Sequence, residues 1–177
     1  VIAQLRNSCR RLLEEGTVKV VIGYGGAMAT PMLVRKPADV EQLTWGERCF
    51  ANLAVYLKRK EVRALGKAAI VVKPCDERAL VVLEKESQID RKALHVIGMT
   101  CDHVGAPMAP KCRKCTSHTP RFADEVIAPP EAQAAPPQPP PAAAPAGADP
   151  LAALMALTPA ERWAFWKKEF SRCVKCY

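Results

Sequence analysis

The sequence is poor in aromatic residues, which make up 6% of its 177 positions. Base stacking needs aromatic platforms, so this scarcity weakens any nucleic-acid reading built on it. Acids are also outnumbered, 18 against 26 lysines and arginines, for a net charge of +8. Those bases are spread along the whole chain, so no nucleic-acid partner is expected from charge alone. No run of eighteen apolar residues occurs, and no membrane span is expected. Nor is there a charged-then-apolar leader, which argues against a retained signal peptide. The chain opens at Val1, so at least an initiator methionine is expected to precede it. Serine, histidine and aspartate show no triad ordering, HExxH is missing, and no internal repeat is visible.

What the chain does have is aliphatic text and cysteine. Hydrophobic residues reach 49%, enough to build a core. Eight cysteines sit within helix-and-strand text, two pairs spaced as C-x-x-C. A disulfide scaffold is usually shorter and richer in loops, so this pattern reads as a reducing, cytoplasmic setting with metal or cluster ligation.

Residues 128–150 carry nine of the sixteen prolines and nine alanines, with Glu131 and Asp149 the sole charges. Such a stretch cannot build a packed element and is expected to act as a semi-extended linker. It separates a domain over 1–127 from a short helical tail over 151–177. Within the domain, Ile2 to Glu15 has helical apolar spacing and Val18 to Ile22 reads as a strand. Glu47 to Lys60 is expected to be helical, with Phe50, Leu53, Ala54 and Leu57 on one face. Ala68 to Val72, Asp76 to Glu86 and Leu94 to Gly98 then form a strand–helix–strand unit with a parallel strand pair. The fold class is therefore α/β: a mostly parallel sheet with flanking helices. In the tail, Thr158-Pro159-Ala160-Glu161 spells a capping box with proline at the first helical position. Trp163, Trp166 and Phe170 follow on one face, so this helix is expected to dock on the main domain or on another protein.

The chemistry concentrates in the cysteines. Cys75 follows a strand in Lys73-Pro74-Cys75-Asp76 and opens a helix, where the backbone dipole favours thiolate. Cys101 ends the next strand, which puts both thiols at the carboxyl edge of the sheet, where open α/β sheets place their sites. Cys112 and Cys115 follow as C-x-x-C. The four make a candidate metal or cluster site, although each pair taken singly also fits zinc, a redox couple or an inert buried thiol. Lys73, Lys111, Arg113 and Lys114 beside them would offset the negative charge of a thiolate cluster, or else form a solvated basic surface. Cys173 and Cys176 close the chain as half of a further site. His95, His103 and His118 are weak candidates, and Asp76 and Glu77 read as helix-start acids. Gly23, Gly25 and Gly26 after the first strand could admit a flavin or phosphate near the backbone. They match no full dinucleotide fingerprint, and a plain tight turn explains them as well.

Taken together, VKVVIGYGGA, the segment VRKPADVEQLTWGERCFANLAVYL, the Pro-Cys-Asp to Thr-Cys to C-x-x-C series and the ending FSRCVKCY carry a resemblance. The chain resembles the beta-subunit family of coenzyme F-420-reducing hydrogenases and formate dehydrogenases. It is similar above all to the iron–sulfur relatives encoded beside heterodisulfide-reductase-like and formate dehydrogenase subunits. The likeness covers nearly everything outside residues 128–150. It implies an electron-transfer subunit of a larger redox complex, partnered by other redox subunits and without substrate chemistry of its own. It implies a [4Fe-4S] cluster on Cys75, Cys101, Cys112 and Cys115. It further implies that Cys173 and Cys176 begin a second, ferredoxin-type cluster whose other ligands are absent from this sequence. Hydrogenase members of the family also bind FAD and reduce the deazaflavin. This chain has Ser8-Cys9-Arg10 where they carry a Ser-Gly-Gly turn, so FAD is implied less directly than the cluster. Two other readings stand beside electron transfer: a structural zinc module, and an FAD-dependent deazaflavin-reducing subunit.

Overall fold

The computed structural model describes residues 1–113, 115–129 and 150–171. It divides into two compact units, Val1–Pro136 and Pro137–Tyr177. Most of the expected linker, and Cys173 and Cys176 of the second expected site, lie outside the described residues.

The first unit is α/β, with one five-stranded sheet in the order β2-β1-β3-β4-β5. Helix α1 (Ile2–Glu14) precedes β1 (Val20–Gly25), which turns through Gly26 into β2 (Thr30–Val34). Strands β3 (Ala68–Val72), β4 (Leu94–Met99) and β5 (Glu125–Ile127) follow, with the four-residue α2 (Lys60–Arg63) before β3 and α3 (Pro74–Lys85) between β3 and β4. Only the β1–β2 pair is antiparallel; β1–β3, β3–β4 and β4–β5 are parallel. Every residue of β1 and of β3 is buried. That is the burial expected of central strands covered on both faces, and it explains why Ala68-Ala-Ile-Val-Val72 is uniformly apolar rather than alternating. Helix α1 contributes Leu5, Cys9 and Leu12 to the same core.

Two strand expectations needed extension, and one helix was misread. The first strand runs on through Tyr24 to Gly25, because its glycines leave room for neighbours. A Cβ on Gly23 would meet Leu43 Cδ2 at 2.7 Å, and one on Gly25 would run into Met32 Sδ. These two glycines thus serve the packing of the sheet, and the space beside them is filled by side chains of the chain itself. Gly26 supplies the turn, at φ +70°.

The expected helix over 47–60 is instead an irregular segment, followed by a 3-10 stretch at Leu53–Lys58 and then α2. Phe50, expected on one face with Leu53, Ala54 and Leu57, is exposed while those three are buried. The reason is tertiary: carbonyls that a helix would use internally are taken by distant donors. Glu47 O accepts from Gly105 N at 2.8 Å, Phe50 O from Lys111 Nζ at 3.3 Å, and Ala51 O from both Tyr24 and Lys73.

In the second unit, helices span Pro150–Ala156 and Pro159–Ser171. The capping box forms: Glu161 N donates to Thr158 Oγ1 at 3.3 Å, and Glu161 Oε2 accepts from Thr158 N at 2.8 Å. Trp166 stacks on Phe170 with ring centroids 6.0 Å apart, and the longer helix has no buried residue of its own. Among the described residues, no helix is long and apolar enough to cross a membrane.

Candidate functional site

Parallel pairing of β3 with β4 aligns Val72 with Gly98, so the two chains leave the sheet side by side. From β3 the backbone passes Lys73 and Pro74 into α3, with Pro74 in its first turn. From β4 it passes Thr100 to Cys101 and then into a long loop that returns as β5. This loop carries the C-x-x-C pair.

Cys75, Cys101, Cys112 and Cys115 all line one cavity of about 60 Å³, together with Lys73, Pro74, Asp102, Val104, Lys111 and Ser117. Two neighbouring strand ends and one loop therefore bring the four cysteines to a single place. Gly23, Gly25 and Gly26 do not line it, nor do His95, His103 or His118.

The loop is held in shape by its backbone. Gly105 has φ +90°, and a Cβ there would meet Pro107 O at 2.8 Å, so the position calls for glycine on both conformation and space. Cys112 N donates to Ala109 O at 2.9 Å, and Cys115 N to Cys112 O at 3.1 Å. Val104 N donates to Cys112 Sγ at 3.4 Å. His118 acts as a clasp: its carbonyl accepts from Cys101 N, and its Nδ1 lies 2.9 Å from Cys101 O. Val96 N donates to Asp124 Oδ2 at 2.7 Å, joining the loop's far end to β4. A Cβ on Gly98 would lie 2.6 Å from Pro120 Cβ, so the loop sits directly on β4 at that point.

Behind the cavity lies a feature the sequence reading did not find. Lys73 and Asp76 are nearly fully buried, at 1% and 2% exposure, and pair at 2.6 Å. The Lys73 ammonium has three N–H bonds and spends all three: on Asp76 Oδ2, on Ala51 O at 3.0 Å and on the Tyr24 hydroxyl. Tyr24 in turn donates to Ala51 O at 2.6 Å. Its proton is held firmly, because burial and then the Asp76 carboxylate push its pKa far above the ordinary value. Lys73 also sits 4.8 Å from the centre of the Tyr24 ring. Of the two sequence readings for Lys73, solvated surface is excluded, whereas Lys111 and Arg113 are exposed. Asp76 and Glu77 are more than helix-start acids. Glu77 is buried and accepts from Arg121 N at 2.8 Å and Phe122 N at 2.7 Å, pinning the return of the cysteine loop.

The electrostatics of the thiols correct one expectation. Despite its place at a helix start, Cys75, an exposed residue, has its pKa raised, first by partial desolvation against the cavity wall and second by the adjoining Asp76 carboxylate. Lys73 and Lys111 pull it back in part. Cys101 is pushed up to about 11, by burial, by Cys75 and, more weakly, by Cys112 and Cys115. Thiolates this close repel one another, and a bound cationic centre would remove that penalty. Cys9 and Cys49 are fully buried core residues with raised pKa values, at about 12 for Cys9.

Among the described residues, no three Cys, His, Asp or Glu side chains close on one point tightly enough to hold a metal ion. Four thiolates on one zinc, each at about 2.3 Å, must approach to roughly 3.8 Å of one another. A cubane cluster gives each thiolate its own iron corner and asks for a wider ring. The four cysteines share one cavity without three of them converging on a point. No protein-family model matches the chain.

Proposed function

We propose that the chain is an iron–sulfur electron-transfer subunit of a larger cytoplasmic redox complex. The observation that carries the reading is the shared cavity of Cys75, Cys101, Cys112 and Cys115 at the carboxyl edge of the sheet. These residues would hold a [4Fe-4S] cluster, which when bound supplies uptake and release of a single electron.

The chain's own groups do the rest. The Cys101 and Cys75 positions are fixed by two paired strands, and the C-x-x-C loop by Gly105, His118 and Glu77. The Val104 amide directed at Cys112 Sγ stabilises negative charge on that sulfur, one of the levers that sets a cluster's potential. The buried Lys73–Asp76–Tyr24 network gives the cavity a polar but fully satisfied back wall. Among the described residues, six cysteines are free thiols. Other redox subunits would supply donor and acceptor, and Cys173 and Cys176 would begin a second cluster.

Single-zinc ligation is the less favoured reading, because no three ligands close on one point. An FAD-dependent reductase is also a less favoured reading, since the room beside Gly23 and Gly25 is taken by Leu43 and Met32 and only Gly26 of the three faces open space.

The test is the double substitution Cys112→Ser and Cys115→Ser in protein purified and reconstituted without oxygen. The iron assigned to the cavity and its visible absorbance are expected to be lost, while far-UV circular dichroism is kept. Full retention of iron and colour would overturn the assignment.

A further inference from the structure

The loop that carries Cys112 and Cys115 has a charge pattern that whole-chain arithmetic hides. From His103 to Ala123 the sequence holds Lys111, Arg113, Lys114 and Arg121 and not one aspartate or glutamate. Lys111, Arg113 and Arg121 are exposed, and Lys111 lines the cavity itself. Three large apolar side chains in this loop or tied to it are exposed: Phe50 at 50%, Met108 at 42% and Phe122 at 61%. Phe50 is tied to the loop, because its carbonyl accepts from Lys111 Nζ and its ring lies 3.2 Å from the Cβ position of Gly105. Four acids border the loop: Asp102 on the cavity lining, Glu47 beside His103 at 3.8 Å, Asp124 paired with Arg91 at 2.8 Å, and the buried Glu77 beneath Arg121 and Phe122. They flank the basic loop and do not interrupt it.

Exposed phenylalanine and methionine set among arginines is the composition of a protein interface rather than of ordinary solvated surface. A basic rim around an apolar centre selects a partner of opposite charge and accelerates its approach. We propose that this loop is the docking face for an acidic protein that carries its own redox centre, seated over the cysteine cavity. The inference rests on the electron-transfer reading and adds to it the partner's chemistry and its place of contact. Arg113 and Arg121 form the rim that steers the partner. Phe50, Met108 and Phe122 form the contact that excludes water between the two centres.

The experiment uses the full chain, loaded with iron without oxygen, and a small acidic plant-type ferredoxin as the probe. Binding is measured by titration at rising salt. Wild-type affinity is expected to fall at least tenfold as the Debye length shrinks from about 10 Å to about 3 Å. The pair Arg113→Glu and Arg121→Glu is expected to weaken low-salt binding at least tenfold. The pair Lys60→Glu and Lys67→Glu, the same charge change beyond the loop and cavity lining, is expected to leave it within twofold. Equal weakening by both pairs would reduce the effect to net charge and overturn the proposal. So would the absence of low-salt binding, or tighter binding to a single-stranded oligonucleotide or to vesicles containing phosphatidylserine. Iron content, read on each sample, separates the two failures. Iron without ferredoxin binding sinks the docking face alone, and a wild-type chain that takes up no iron sinks the reading beneath it.

Discussion

Replacing Lys73 with methionine is expected to destabilise the first unit by about 3–5 kcal/mol, the cost of breaking a buried ion pair from one side. The substitution keeps most of the side chain's volume and removes its charge and three donors. The Asp76 carboxylate would remain 2% exposed without its counter-ion, and Ala51 O would lose one of its two donors. By the usual size scaling this is a fall of roughly 10–20 °C in Tm. The double variant Lys73→Met with Asp76→Leu distinguishes charge from packing. Removing both charges takes away the uncompensated carboxylate, so most of the loss is expected to return. Urea unfolding of the full chain checks both, and a single-variant loss below about 1 kcal/mol would mean the network is not the buried, satisfied unit described.

Glu77→Ala is expected to be the second costly change, and its effect to be local. The carboxylate is the acceptor for two backbone amides, Arg121 N and Phe122 N. Hydrogen bonds to a charged group contribute about 1.5–3 kcal/mol each, and amides left unpaired near the core add their own desolvation cost. A net loss of roughly 2–4 kcal/mol follows, less than the sum because water reaches the part-exposed Arg121 amide. Hydrogen exchange at those two amides is expected to rise by about thirtyfold or more, as local opening becomes easier by that amount. The amides of β3 should keep their protection relative to global unfolding. Glu77→Gln, which retains one acceptor oxygen, should show a smaller change. Unchanged protection at Arg121 and Phe122 in Glu77→Ala would contradict the role given to this residue.

How much of this could be read from sequence differs element by element, for physical reasons. Ala68–Val72 was legible to the residue, since an uninterrupted aliphatic run between polar flanks is what a central parallel strand requires. The meeting of Cys75 with Cys101 was legible too, because a parallel strand–helix–strand unit delivers both strand ends to one edge. Strand β2 was missed: Pro31 breaks its pattern, yet it is tolerated because β2 lies at the edge of the sheet. Strand β5, three residues long, is too short to show a period.

The segment over 47–52 had helical apolar spacing and no helix, because its carbonyls are committed to Gly105, Lys111, Lys73 and Tyr24. Propensity cannot register bonds made to residues dozens of positions away. The same holds for Lys73. A lysine defaults to the surface, and only the assembled fold reveals that Tyr24, Ala51 and Asp76 enclose it. The dipole argument for Cys75 named a real influence, but partial desolvation and the next residue's carboxylate outweigh it.

The most direct test of the central claim is a joint count of iron, zinc and acid-labile sulfide on the full chain purified without oxygen, with electron paramagnetic resonance of the reduced sample. The account predicts about four irons and four sulfides for the cavity of Cys75, Cys101, Cys112 and Cys115, as one cubane requires, and a reduced-cluster signal. Stoichiometric zinc without sulfide, in colourless protein, would contradict it and make the four cysteines a structural site.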